Sequence, residues 1–473
     1  MPDRILLPLI VACALFMENL DSTVIATALP AIAEDFGASP IHLKLALTSY
    51  LLSLAVFIPA SGWLADRFGA RIIFRAAILT FTVGSVFCGL SNSIGEMIVA
   101  RIVQGMGGAM MVPVGRLVIL RSVPKHELIG SLAWLTIPAL LGPVFGPPVG
   151  GFITTYFTWR WIFWINIPIG LLGLVLATLY IPDIYGERRV KFDIRGFFLS
   201  AVGLAAFVTG STSLGLGLMP AWAIMALLVL GAALLLLYLF HSRRIDHAIL
   251  DLSLFRIPTF RYAIAGATLF RVGVGATPFL LPLLLQVGFG MTPFESGMVT
   301  FASAFGALCM KVLAPPLLRR YGFRNILLVN SCIGAVFIAV PALFTPATPV
   351  AVMFAMILAG GFFRSLQFTS VSALSFADVP QEKMSRATTM TSVLQQLSLS
   401  LGVSIGAMVV EFTIHARDTT LNADVFWPAF TIVAAIAMLS VLPLMRLQSN
   451  AGDEVSGRRP IAPDPVTVMR ERS

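Results

Sequence analysis

The chain has 473 residues, 58% of them hydrophobic and only 12% charged, with a formal net charge of +9. A soluble domain carries about twice that share of charge, roughly 25%, so the composition excludes a soluble globular enzyme. It also excludes a β-barrel, whose signature is short alternating segments rather than apolar runs of about 20 residues.

Fourteen apolar segments follow one another and predict membrane helices over residues 6–30, 44–65, 72–90, 96–119, 129–153, 161–181, 195–215, 221–241, 258–286, 294–318, 325–344, 349–372, 388–413 and 424–446. Alternating them across a bilayer tests the count. Twenty-five of the 32 lysines and arginines then share the side of the N-terminus, against three (Lys44, Arg160, Arg417) on the other. Arg101, Arg271, Lys311 and Arg364 remain inside spans. The bias places both termini in the cytoplasm, and the positive net charge belongs to cytoplasmic loops rather than to a nucleic-acid surface. The first segment is read as an uncleaved helix, not a signal peptide. Trp159, Trp161, Trp164, Trp222 and Trp427 are expected near the outer interface as an aromatic belt. The tail from 447 to 473 is polar and expected to be disordered.

The first helix holds Glu18 and Asp21, three residues apart and so on one face. Charged groups inside a membrane usually face a cavity and serve function. Two carboxylates in one low-dielectric cleft repel, which favours their sharing a proton. After the second helix comes DRFGAR (Asp66 to Arg71), and after the tenth RRYGFR (Arg319 to Arg324). Arg67, Gly69 and Arg71 match Arg320, Gly322 and Arg324, which suggests two equivalent halves with an insert between them. The expected domains are a six-helix bundle over 1–181, a linker with two helices over 182–250, and a second six-helix bundle over 251–446.

GMGGAM (Gly105 to Met110) has no strand before it, so it reads as close helix packing rather than a nucleotide loop. In GPVFGPPVGG, Gly142, Gly146 and Gly150 recur at four-residue spacing and form a smooth face. Pro143, Pro147 and Pro148 bend that helix. Gly151 closes the stretch. In the second half, Arg271, Arg364, Gln367, Gln395 and Gln396 are expected to face a central cavity. Arg271 and Arg364 would suit an anionic or zwitterionic substrate, or pair with Glu18 and Asp21. Glu411 is expected to be solvated near the outer surface. The four cysteines lack CxxC spacing and read as small apolar residues. No ATP-binding loop, metal site or cofactor is expected.

Four stretches resemble motifs of the major facilitator superfamily, in its branch of fourteen-helix drug:proton antiporters. LDSTVIATALPAI (Leu20 to Ile32) resembles that branch's first-helix signature, and GWLADRFGAR (Gly62 to Arg71) the loop 2–3 motif. RIVQGMGGAM (Arg101 to Met110) resembles the fourth-helix motif, and GPVFGPPVGG with WRWIFWINIPIG the fifth-helix antiporter motif. The resemblance implies an all-α fold of two six-helix bundles plus two linker helices. It implies a proton-coupled antiporter that exports small organic compounds by alternating access, not an enzyme. Asp21 then stands at the matching acidic position, with Glu18 beside it. Arg101 would pair with Asp21, and Gln104 would extend that face as a residue of the central cavity. Gly62, Asp66, Arg67, Gly69 and Arg71 would form a cytoplasmic conformational latch. The expected setting is a bacterial inner membrane, with protons and a small molecule as partners and a monomer as the working unit. The competing readings are a transporter of an organic anion and a non-transporting membrane receptor or assembly partner.

Overall fold

The computed structural model describes residues 2–122, 128–182, 192–213, 219–245, 248–380 and 383–453. Lys125, Arg188, Arg189, Lys191 and the tail from residue 454 lie outside the described residues, as do the side chains of Arg4, Arg116 and Arg121.

The first half comprises α1 (Pro2–Asp35), α2 (Lys44–Phe68), α3 (Ala70–Leu90), α4 (Ile94–Ser122), α5 (Leu128–Tyr156) and α6 (Asn166–Tyr180). Two further helices follow, α7 (Ile194–Ser213) and α8 (Ala221–Ser242). The second half comprises α9 (Pro258–Leu283), α10 (Pro293–Tyr321), α11 (Phe323–Ala339), α12 (Val350–Phe376), α13 (Met384–Arg417) and α14 (Phe426–Met438). These helices are apolar on nearly every face because one side meets protein and the other meets lipid.

Among the described residues, 12 helices are long and apolar enough to cross a membrane. A thirteenth is the bent pair Pro293–Lys311 and Leu313–Tyr321, which turns by 57°. Pro315 and Pro316 lie just after the break and remove backbone hydrogen bonds there. The expectation of fourteen spans is therefore met only in part: the segment at 129–153 falls on α5, a helix of 29 residues outside that set.

The packing repeats. In the first half α1 lies on α5, α2 on α4, and α3 on both α4 and α6. In the second half α9 lies on α13, α10 on α12, and α11 on both α12 and α14. The two most extensive contacts between the halves, α5 with α10 and α2 with α13, exchange under the same correspondence. The inserted α7 touches α2 and α13, and α8 packs mainly on α7, where Gly231 lets the backbone of Phe207 approach.

The two basic turns are built alike. Gly69 ends α2 at φ 97°, and Gly322 ends α10 at φ 75°, a region that side chains with a Cβ rarely enter. Arg71 donates to the carbonyl of Thr178 at the end of α6. Arg324 donates to the carbonyl of Met445, in the short helix that follows α14, at 3.3 Å. Each half thus ties its second turn to its last helix.

Gly142, Gly146 and Gly150 face α1, where an added Cβ would meet Leu20 and Asn19, Thr23, and Thr27 and Val24 respectively. The smooth row therefore seats α5 within its own half. Pro147 and Gly151 instead meet α10, at Gly297 and at Pro293 and Phe294. Trp159 departs from the expected aromatic belt: it is buried and donates from Nε1 to Asp35 at 3.1 Å. Trp161, Trp222 and Trp427 are exposed.

Candidate functional site

Asp21 sits on α1 in a sealed polar node and is only 3% exposed. Arg101 on α4 donates from Nη1 to Asp21 Oδ2 at 2.6 Å. The other carboxylate oxygen accepts from Gln104 at 2.8 Å and from Asn166 at 2.9 Å. Gln104 and Asn166 both donate to Ser85 Oγ as well, each at 2.8 Å. The Arg101 guanidinium lies over the Tyr50 ring, 4.2 Å from its centroid. One carboxylate therefore ties α1 to α4 directly and to α3 and α6 through Ser85 and Asn166. Removing one partner of such a buried pair costs about 3–5 kcal/mol, because the other charge is left uncompensated.

This arrangement corrects the expectation that Gln104 faces the central cavity. Glu18 lies one turn earlier on α1, half-buried, near Tyr50 and Gly108. Gly105 and Gly107 admit α2 and α3 to the α4 backbone: added Cβ atoms would collide with Ser53 and with Ala77 and Phe81.

The second half builds a related node without a carboxylate. Gln367 on α12 donates to Ser331 Oγ at 2.8 Å and accepts from Asn330 at 2.8 Å. Gln104 with Ser85 and Gln367 with Ser331 join equivalent helices, α4 with α3 and α12 with α11. Arg101–Gln104 and Arg364–Gln367 also share the spacing R-x-x-Q. Gln367 is thus a fold residue of its own half rather than a cavity residue. Arg271 is 2% exposed and lies over the Phe368 ring, 5.4 Å from the centroid, with no described carboxylate beside it. It too is absent from the cavity wall. Gln395 and Gln396 are half-buried on α13 and do not line the cavity.

Arg364 does line the cavity. This space, about 110 Å³, lies between the halves. Its wall takes Thr23, Ala26 and Thr27 from α1, Pro143 and Pro147 from α5, and Thr277, Pro278, Leu281 and Pro282 from α9. Thr300, Ser303 and Ala304 of α10 and Arg364 of α12 complete it. At 100° per residue Asp21 points roughly 160° away from Thr23 around α1, so Asp21 and the cavity lie on opposite faces of that helix.

One end of this cavity is closed, the end away from the basic turns. The backbone N–H of Phe294 donates to Thr155 Oγ1 at 3.0 Å, and Gly297 lies against Pro147. A π-helical turn, Leu284–Gly288, extends α9 there. Its Gln286 donates to the carbonyl of Thr27 at 2.9 Å, joining the halves. Lys44 begins α2 at this end, fully buried, with no hydrogen-bond partner for its ammonium among the described residues. Glu411 of α13 is close enough to act on it electrostatically. The Glu411 side chain is only 16% exposed, which corrects the expectation of a solvated surface acid.

At the opposite end Asp66 lies half-buried in the last turn of α2, beside exposed Arg67, and Gly62 meets no neighbour closely. Among the described residues no group of three or more His, Cys, Asp or Glu side chains could hold a metal ion.

A sequence profile of the Major Facilitator Superfamily matches residues 11–403 and 263–466. The chain belongs to the major facilitator superfamily. It is therefore a multi-pass membrane transporter and not an enzyme. It is 36% identical over 450 residues to the protein named "Putative multidrug resistance protein MdtD" of Salmonella paratyphi A, covering 93% of this chain and 94% of the relative. A protein of the same name from Klebsiella pneumoniae is 36% identical over 455 residues, covering 95% and 96%. Among solved structures, the D-xylose-proton symporter superposes with a TM-score of 0.66 at 16% identity, over 93% of this chain and 96% of that one. The human organic anion transporter MFSD10 superposes at 0.62 with 12% identity, over 94% and 100%. At such low identity these two likenesses speak for the fold alone.

Ser85, Asn166, Gln286, Asn330 and Ser331 escaped the sequence reading, which took Lys44 only as a topological charge. The R-x-x-Q repeat was the one signal that pointed to a paired node. Membrane helices carry many hydroxyl and amide residues that bond to their own backbone, as Thr27 does to Val24 at 3.0 Å, so residue type alone does not mark a node.

Proposed function

We propose that this transporter exports small organic compounds in exchange for protons, by alternating access across a bacterial inner membrane. In this reading fourteen spans form two bundles, 1–181 and 251–446, around the linker 182–250. Both termini are cytoplasmic and a monomer suffices. The observation that carries the proposal is the cavity between α1, α5, α9, α10 and α12, closed at one end by glycine and proline contacts. Such contacts separate without breaking ion pairs, so the halves can rock apart there at low cost. With the basic turns in the cytoplasm, the closed end is the outer one. The name of the MdtD relatives and the fifth-helix motif both favour export.

Proton coupling is assigned to Glu18, Asp21 and Arg101. The two acids take different parts. Asp21 has both oxygens engaged, so it exchanges a proton only when the node loosens. Glu18 is already half-exposed beside Tyr50 and exchanges first. Asp66, Arg67, Gly69 and Arg71 act as the cytoplasmic latch, with Gly62 leaving room for an approaching helix.

Inverted membrane vesicles with an imposed pH gradient test the proposal. Substrate should accumulate inside as protons leave, and a Glu18→Gln variant should lose the dependence on the gradient while still binding. Substrate movement indifferent to the gradient in the wild type would refute the coupling. No transport from a broad panel would favour a receptor.

A further inference from the structure

The polarity of the cavity wall selects a class of compound. Arg364 is the one charged residue among the lining residues. Among the described residues no carboxylate compensates it, and the same holds for Arg271 on the facing helix. The two cations flank one stretch of α12: Arg271 lies over Phe368, one turn beyond Arg364. The acidic residues of the second half are Asp251, Glu295, Asp378, Glu382, Glu411, Asp418 and Asp424; among the described ones only Glu411 lies within an unbroken candidate span, towards its end and beside Lys44. Around Arg364 and Arg271 the second half therefore carries positive charge and no described acid. Charge of one sign inside a low-dielectric wall focuses its field into the adjacent space.

Arg364 also borders a second, smaller cavity of about 30 Å³ within the second half, between α9, α10, α11 and α12. The two cavities share three residues in their walls: Thr277, Ser303 and Arg364. Two hydroxyls and a guanidinium thus stand together where the cavities meet. On the other side, Ala26, Pro143, Pro147, Pro278, Leu281 and Ala304 present apolar surface.

We infer that Arg364, Thr277 and Ser303 form the head-group subsite for an amphipathic organic monoanion, whose apolar body lies against the prolines and Leu281 of the central cavity. A guanidinium can bind both oxygens of a carboxylate in parallel, and the hydroxyls can donate to the remaining lone pairs. The anion supplies the counter-charge that the protein omits. A cationic compound would meet Arg364 with no acid in the wall to offset it. This inference rests on the transport reading above and narrows its substrate class.

The test uses three isosteres: 2-naphthoate, 2-naphthamide and (2-naphthyl)methylammonium. Binding to the full chain in detergent is read by calorimetry, and transport in vesicles by uptake. The naphthoate should bind at least about tenfold more tightly than the ammonium. Arg364→Gln should abolish that preference, and Arg364→Lys should retain part of it. Equal or tighter binding of the ammonium, or a naphthoate affinity unchanged in Arg364→Gln, overturns the subsite. If Arg364→Gln fails to fold, a Thr277→Val and Ser303→Ala pair must weaken naphthoate more than naphthamide; equal weakening overturns the subsite too. Naphthoate bound in this way but moved without regard to the pH gradient supports the subsite and sinks the coupling. Cationic compounds exported in a gradient-dependent way, with naphthoate unbound, sink the subsite and spare the export reading. An anionic lipid as the natural occupant is told apart by repeating the calorimetry in vesicles of neutral and of acidic lipid: competition by acidic lipid, lost in Arg364→Gln, places a lipid in the same subsite.

Discussion

The two halves share one packing scheme and differ in how they treat a buried arginine. In the first half Arg101 meets Asp21 within a buried node, so the charge is internal to the fold. In the second half Arg364 occupies the corresponding R-x-x-Q position, but no acid among the described residues stands near it and it opens onto the cavity. The related scaffold is closed by a carboxylate on one side and left to an outside partner on the other. The half without the acid thereby leaves its arginine for the inferred ligand.

The sharpest way to break this comparison is to remove the two charges in turn. Arg101→Gln should destabilise the protein by about 3–5 kcal/mol in detergent unfolding, since Asp21 is left alone in a dry node. Arg364→Gln should cost under about 1 kcal/mol, or stabilise, because it relieves an uncompensated cation. Equal costs for the two would erase the distinction. Asp21→Asn combined with Arg101→Gln should cost less than the sum of the single changes.

Close approach supplies a smaller contrast. Gly361→Ala on α12 sets a Cβ against the backbone of Ser303, whereas Gly146→Ala on α5 sets one against the Thr23 side chain. Overpacking of this kind costs about 1–3 kcal/mol. The Gly146→Ala defect should be relieved by Thr23→Ala, and the Gly361→Ala defect should not be relieved by Ser303→Ala, as thermal unfolding of the double variants would read.

The closed end of the cavity allows a third comparison, between apolar and charged closure. Glu411→Gln should loosen it by leaving buried Lys44 without its acidic neighbour, raising the labelling rate of a cysteine placed at Thr27 several-fold. An unchanged rate would mean that the glycine and proline contacts alone keep it shut.

The smallest effect concerns the loop before α9. Burial pushes the Asp251 carboxyl up, but hydrogen bonds from Ser253 and Arg386 and the nearby Lys383 outweigh it and hold the group below the usual carboxylate range. Arg386 Nη1 stands 3.2 Å from Asp251 Oδ2. A depressed carboxylate stabilises above its unfolded value and loses that contribution as pH falls through the folded one. Asp251→Asn should therefore cost about 0.5–1 kcal/mol at neutral pH, and the difference from wild type should shrink progressively as pH falls below about 4. A difference that persists in acid would show that the Asp251 contacts act without the charge.

Much of this was legible in one dimension. Glu18, Asp21 and Arg101 stood out because a charge in an apolar run has few reasons to persist, and Gly69 and Gly322 because a tight reversal after a long helix demands them. The repeat was visible in DRFGAR and RRYGFR. Less visible was which way a side chain turns. Gln104, Gln367 and Arg271 were expected in the cavity, and all three face the interior of their own half. The row of Gly142, Gly146 and Gly150 announced close packing without naming the neighbour, which proved to be α1.

By itself the amino-acid order determined the membrane habit and the presence of two related halves, because hydropathy and charge are summed over whole segments and survive any detail of packing. Only the tertiary structure decided which polar groups meet: a helix turned by a few tens of degrees exchanges a sealed node for an open wall. That rotation is why Asp21 is spent on Arg101 while Arg364 remains free to receive a ligand.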